Sequence, residues 1–125
     1  MKAQSSILWS ILNVGVIVAL AIVAYGATVD IDQVLKNPAQ FDNKMITIQG
    51  TATMVSERIS RAGNPYTTSR VQDSTGSITI YTRGHPGIRN GDRVEVIGLF
   101  QQVKRVGQYT FYNEIEAQNI KRVSP

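Results

Sequence analysis

From Met45 onward the sequence changes hydrophobicity at every second residue, in five separate runs. A period of two puts alternate side chains on opposite faces of an extended strand. It therefore restricts the chain to folds in which one face of each strand meets a core. Met45–Val55 is the first run, with Ile46, Ile48, Ala52 and Met54 turned the same way and Gly50 as the place for a bend or bulge. The loop Ser60-Arg61-Ala62-Gly63-Asn64-Pro65 leads to Tyr66–Gln72, where Ser69 and Val71 point inward. Asp73-Ser74-Thr75-Gly76 has the composition of a tight turn. Ser77–Arg83 follows with Ile78 and Ile80 inward, then a loop from Gly84 to Gly91, the strand Asp92–Val103, a turn from Lys104 to Gln108 and the strand Tyr109–Ile120. Five strands, a long first strand and glycine-rich turns predict a mainly β protein built on a small closed barrel. The pattern alone leaves an SH3-like barrel or a β-sandwich fragment open.

Upstream of the strands the periodicity is different. No residue from Ile7 to Ala27 is charged, and most are Ile, Leu, Val or Ala. At about 1.5 Å per residue this run spans roughly 30 Å, the hydrocarbon thickness of a bilayer. The expected organisation is a transmembrane anchor over residues 1–28 and a β domain over residues 29–125. A cleaved signal peptide is the rival, with Ala24-Tyr25-Gly26 as its small-x-small site, but the run exceeds the usual signal core and only Lys2 charges its start. Lys2 before the run, with Asp30 and Asp32 after it, favours an extracytoplasmic (periplasmic) domain. Within the run, Gly15 and Ala19 form a small-xxx-small pair suited to helix approach. Asp30 and Gln33 then have capping-box spacing, and Ile31, Val34 and Leu35 share one face of a short helix that Asn37-Pro38 ends.

Three stretches carry a family resemblance: Phe41–Gly50, Val71–Ile78 and Asn90–Gly98. They resemble the β1, β2–β3 and β4 signatures of OB-fold domains of the anticodon-binding-like group. The resemblance implies a five-stranded OB-fold barrel over roughly Asp30–Val123, preceded here by the short helix and the anchor. The connection from Arg83 to Asp92 is too short for the helix that many OB-folds carry there, so the helix at Ile31–Leu35 is expected to plug the barrel instead. An anchor followed by an outward OB domain also resembles the membrane-bound heme chaperone of cytochrome c maturation. That family attaches heme through a His-x-x-x-Tyr motif beyond the barrel. Here His85 precedes the fourth strand with no tyrosine at that spacing, so the heme role does not carry over.

The chemistry-bearing residues are sparse. With no cysteine, disulfides, thiolate metal sites and cysteine nucleophiles are excluded. There is no His-Glu-x-x-His, Gly-x-Ser-x-Gly or phosphate-binding Gly-x-x-x-x-Gly-Lys, and His85 is the single histidine. No enzyme activity, cofactor or metal is expected. Glu114 and Glu116 share a face of the fifth strand and read as a solvated strand face.

Basic residues interleaved with aromatics give the sharper signal, on a chain of net charge +4. With Val71 and Ile80 inward, Arg70, Tyr81 and Arg83 point outward on strands two and three, the face where OB-folds bind oligomers. The first loop adds Arg58, Arg61 and Tyr66, and the fourth-to-fifth turn adds Lys104, Arg105 and Tyr109. Two functions fit these nine residues. The first is a non-catalytic interaction module docked to a membrane protein assembly, since tyrosine and arginine are enriched in protein contacts. The alternative is binding of single-stranded nucleic acid or another polyanion, with arginine on phosphate and tyrosine on bases.

Overall fold

A computed structural model of the protein describes residues 27–123. They form α1 (Ile31–Lys36), α2 (Pro38–Phe41), β1 (Lys44–Ile59), β2 (Pro65–Gln72), β3 (Ser77–Arg83), β4 (Arg93–Val106) and β5 (Tyr109–Arg122). The expected membrane anchor up to Gly26, its rival cleavage site and the Gly15–Ala19 pair lie outside the described residues. Among the described residues no helix is long and apolar enough to cross a membrane.

The five strands close into a barrel in the order β1-β2-β3-β5-β4, with β4 returning to β1. Only the β3–β5 pairing is parallel. Every strand of the closed barrel has two neighbours, and β1 meets its two along different halves of its length. Its first half, Lys44–Thr51, pairs with β4, and from Thr51 to Ile59 it pairs with β2. Gly50 stands at the changeover, where a Cβ would run into the Gln72 carbonyl and come within 2.9 Å of the Val71 side chain. Gly98 in β4 is equally crowded, beside the bulge between Ile97 and Gly98, where a Cβ would meet the Glu116 carbonyl. The two glycines let the sheet fold back on itself without a side chain in the way.

The core follows the alternation read from the sequence. Ile46, Ile48, Ala52, Val71, Ile78 and Ile80 are buried, joined by Val94, Val96, Phe100 and Ile115. Ser69 is buried among them as expected. Met54 departs from expectation: it is 72% exposed. The β1–β2 register shifts between Thr53 and Ser56, and Met54 itself adopts φ +52°. This bulge inserts one residue, turns Met54 outward and brings Val55 against the core in its place. Gly50, expected to host such a bulge, instead marks the partner change.

The helix closes one end of the barrel as predicted. Ile31 and Val34 are fully buried in the core cluster, and Leu35 packs against it half-buried. The tie is made from the β2–β3 turn. Asp73 Oδ2 accepts the Ile31 N–H at 2.9 Å and the Thr75 hydroxyl accepts the Asp32 N–H at 3.1 Å. At the helix start, Gln33 Oε1 accepts the Asp30 N–H at 3.2 Å, one half of the capping box. Pro38 opens the one-turn helix α2 directly after the first helix ends at Asn37. No helix lies between β3 and β4.

Candidate functional site

The outer face of β2 and β3 carries Tyr66, Thr68 and Arg70 opposite Arg83, Tyr81 and Thr79. Each inner neighbour, Thr67, Ser69, Ile80 and Thr82, is buried, so alternation fixes these side chains on the outside. Tyr66 and Tyr81 sit diagonally across the pair. Their rings stack with centroids 5.6 Å apart and planes 27° off parallel. β1 extends the face on one side, where Arg58 is the register partner of Tyr66 and Ser56 of Thr68. β5 extends it on the other, where Glu114 stands beside Thr79 and Glu116 beside Tyr81.

β4 and β5 run on past the barrel as a two-stranded arm. β4 pairs with β1 only through Lys44–Thr51, opposite Phe100–Arg93, and β5 pairs with β3 only at Glu114–Ala117. From Val103 to Val106 and from Tyr109 to Tyr112 the two strands therefore pair only with each other. The expected turn Lys104–Gln108 is shorter in the structure. Lys104 and Arg105 belong to β4, and the turn is Gly107-Gln108 with Gly107 at φ +59°. As consecutive strand residues, Lys104 and Arg105 face opposite ways, so they do not act on one face together. Lys104 shares its side of the arm with Val106, Tyr109 and Phe111, while Arg105 shares the other with Val103, Thr110 and Tyr112.

The Lys104 side of the arm reaches over the Tyr66–Tyr81 face. The Lys104 ammonium lies 4.1 Å from the Tyr81 ring centroid and 5.8 Å from that of Phe111. It bonds Glu114 Oε1 at 2.7 Å, and the two side chains are only 16% and 7% exposed. The expectation of a solvated Glu114–Glu116 face is therefore corrected. The two carboxylates do share a face, but the arm covers Glu114, and Glu116 lies 3.6 Å from the Arg83 guanidinium.

The structure thus brings Arg58, Tyr66, Arg70, Tyr81, Arg83 and Lys104 to one face. Their availability differs. Arg83 is 86% exposed. Arg70 is turned inward along the face, donating to the Ser77 hydroxyl at 3.0 Å and the Thr79 hydroxyl at 2.9 Å. Arg58 is in β1 rather than the first loop, Arg61 is exposed in that loop, and Tyr109 is exposed on the arm. Phe111, Glu114 and Glu116 belong to the site and were not expected there as ligand-binding groups. The signal was in the sequence as Tyr109-Thr110-Phe111-Tyr112, a dense aromatic run on a strand with no core to bury it. His85 contacts Glu57 Oε2 through Nδ1 and the Arg58 carbonyl through Nε2, both at 3.2 Å, tying the β3–β4 loop to the end of β1. Among the described residues no group of three or more acidic or histidine side chains is placed to hold a metal.

The fold has counterparts among solved structures. A small single-stranded DNA-binding protein from Streptomyces coelicolor superposes with a TM-score of 0.52 at 21% identity, covering 65% of this chain and 93% of that one. The second OB-fold domain of replication protein A from Methanococcus maripaludis gives a TM-score of 0.48 at 23% identity, over 67% of this chain and 88% of that domain. A mitochondrial single-stranded DNA-binding protein from S. cerevisiae gives 0.49 at 19% identity, over 66% and 97%. No protein-family model matches the sequence, and no curated protein matches it. The β domain is an OB-fold.

Proposed function

We propose that the protein is a non-catalytic module that binds single-stranded nucleic acid across the outer face of β2 and β3, beneath the β4–β5 arm. The stacked Tyr66–Tyr81 pair carries this reading. A pair of aromatic rings on the outside of a barrel offers π-surface to a base, and such stacking contributes about 1–3 kcal/mol per base without regard to sequence. Arg58 and Arg83 flank Tyr66 on the two neighbouring strands and Arg61 is exposed in the β1–β2 loop, so phosphates on either side of a base stacked on Tyr66 meet guanidinium groups. The OB-fold itself supports the reading, because the Streptomyces protein of the same fold is by its description a binder of single-stranded DNA.

The uncharged run from Ile7 to Ala27 would hold this groove at a membrane surface, with an extracytoplasmic domain as the orientation its flanking charges favour. A second reading, docking to a membrane protein assembly, is favoured by the far side of the arm, where Val103 and Tyr112 stand exposed as a cross-strand pair. The two readings separate in a fluorescence-anisotropy titration of the domain from Asp30 with an unstructured oligonucleotide. Nucleic-acid binding predicts saturable, salt-sensitive binding that Tyr66→Ala and Tyr81→Ala weaken. Absence of binding at low salt leaves the docking reading.

A further inference from the structure

The stacked pair is not open on both sides. β2 lies on one side of β3 and β5 on the other. Tyr66 covers Tyr81 from the β2 side, and Lys104 covers it from beyond β5. The ammonium occupies the space over the Tyr81 ring into which a second base would stack. We propose, on the reading above, that Lys104 is a built-in competitor for the groove, held over Tyr81 by Glu114, and that single-stranded nucleic acid binds by displacing the arm that carries it.

Three observations carry this. Lys104 is packed among Tyr81, Phe111 and Glu114 rather than extended toward solvent as a phosphate contact would be. The arm has little else to hold it: its strands pair only with each other beyond Gln102 and Asn113, and Val106 and Tyr109 at its tip are exposed. A lone two-stranded ribbon is only marginally stable in water. The base of the arm is also discontinuous. Asn113 adopts φ +53° there, and its side-chain oxygen is buried without a hydrogen-bond partner. The closed position leaves that acceptor unsatisfied, and an opening movement would return it to water. Across the arm from it, Asp42 Oδ1 accepts the Gln102 N–H at 2.8 Å and fixes the β4 side to the body. The arm therefore has a fixed strand, a strained strand and one buried ion pair as its clasp.

The test uses Glu114→Gln and Lys104→Ala in the full chain, with two readouts: amide hydrogen exchange over residues 103–113 without ligand, and titration with a single-stranded oligonucleotide. Circular dichroism melting confirms that each variant is folded. Glu114→Gln should speed exchange in the arm about tenfold and tighten oligonucleotide binding three- to tenfold. Lys104→Ala, which removes the competitor itself, should likewise tighten binding, with the salt dependence unchanged. Unchanged exchange in Glu114→Gln, or faster exchange with equal or weaker binding, overturns the competitor. So does a weaker Lys104→Ala whose salt slope falls by about 0.7, the mark of a lost phosphate contact on a single strand. If neither the wild-type chain nor either variant binds any oligonucleotide, the nucleic-acid reading fails and the competitor with it. Binding by the wild type with the wrong response in the variants sinks the competitor alone.

Discussion

The Asp73 carboxylate in the β2–β3 turn accepts the backbone N–H of Ile31, forty-two residues earlier, at 2.9 Å. Its other oxygen takes the Thr75 and Gly76 amides and the Thr75 hydroxyl. One side chain therefore closes its own turn and caps the helix that plugs the barrel. Burial pushes the Asp73 pKa up, but the Thr75 hydroxyl and the amides of Ile31, Thr75 and Gly76 outweigh it and hold the carboxyl below its ordinary value. A carboxylate with a depressed folded pKa contributes stability that is present above its unfolded pKa and lost as pH falls through the folded one. Asp73→Asn should remove that part of the acid sensitivity, and Asp73→Ala should cost about 1–2 kcal/mol at neutral pH, as for a lost helix cap. Urea melts between pH 2 and 7 check both; acid profiles that coincide for wild type and Asp73→Asn would refute the linkage.

The plug can be weighed residue by residue. Ile31 is fully buried, so Ile31→Ala should cost about 2–5 kcal/mol. Leu35 is half-buried beside Gly76, and its truncation should cost less, about 1–2 kcal/mol. Equal losses from the two substitutions in chemical denaturation would mean that the helix does not enter the barrel end as described.

Closure of the barrel rests on two glycines that alternation alone does not single out. A methyl group at Gly50 or Gly98 would strike a backbone carbonyl of the neighbouring strand, which cannot move aside as a side chain can. Gly98→Ala and Gly50→Ala should each destabilise by about 1–3 kcal/mol or more. A control substitution at Gly63, where a Cβ meets nothing within 4 Å, should cost only the strain of its positive φ. Thermal melts of the three variants order these costs.

Val71, Ile78 and Ile80 were legible because regular alternation and burial coincide there. Met54 was misread because a bulge changes the phase of a strand without any change in composition, and Met is accepted on either face. The outward placement of Arg70, Tyr81 and Arg83 followed from their neighbours, whereas Tyr66, read with the first loop, stands on the same face as a residue of β2. The placement of Lys104 and Arg105 did not follow, because the strand runs further than its apolar pattern: an arm that leaves the barrel has no core to impose alternation. The Lys104–Glu114 pair joins opposite strands of one hairpin, and a sequence shows such a pair only once the turn between them is fixed.

For the N-terminal run, the expected outcome is retention. The 125-residue chain expressed in cells should stay with membranes after alkaline carbonate washing, because 21 uncharged residues suffice to span a bilayer. Release of a shortened chain beginning near Ala27 would identify the run as a cleaved signal.

On the proposed function, the Tyr66–Tyr81 face binds single-stranded nucleic acid by stacking with modest electrostatic help. Arg58 and Arg83 on the face and Arg61 in the adjoining loop are basic side chains not committed to hydroxyl groups or a buried pair, so the salt slope should be about −2, near 0.7 per phosphate on a single strand. The most direct measurement is the oligonucleotide affinity of the wild-type domain and of Tyr66→Ala/Tyr81→Ala at 50 and 200 mM salt. Wild-type binding should be micromolar and weaken by about tenfold or more across that range, with a further loss of about 1–3 kcal/mol in the double variant at either salt. Oligonucleotide binding that is absent at 50 mM salt, or that survives removal of both tyrosines undiminished, would contradict the proposed function.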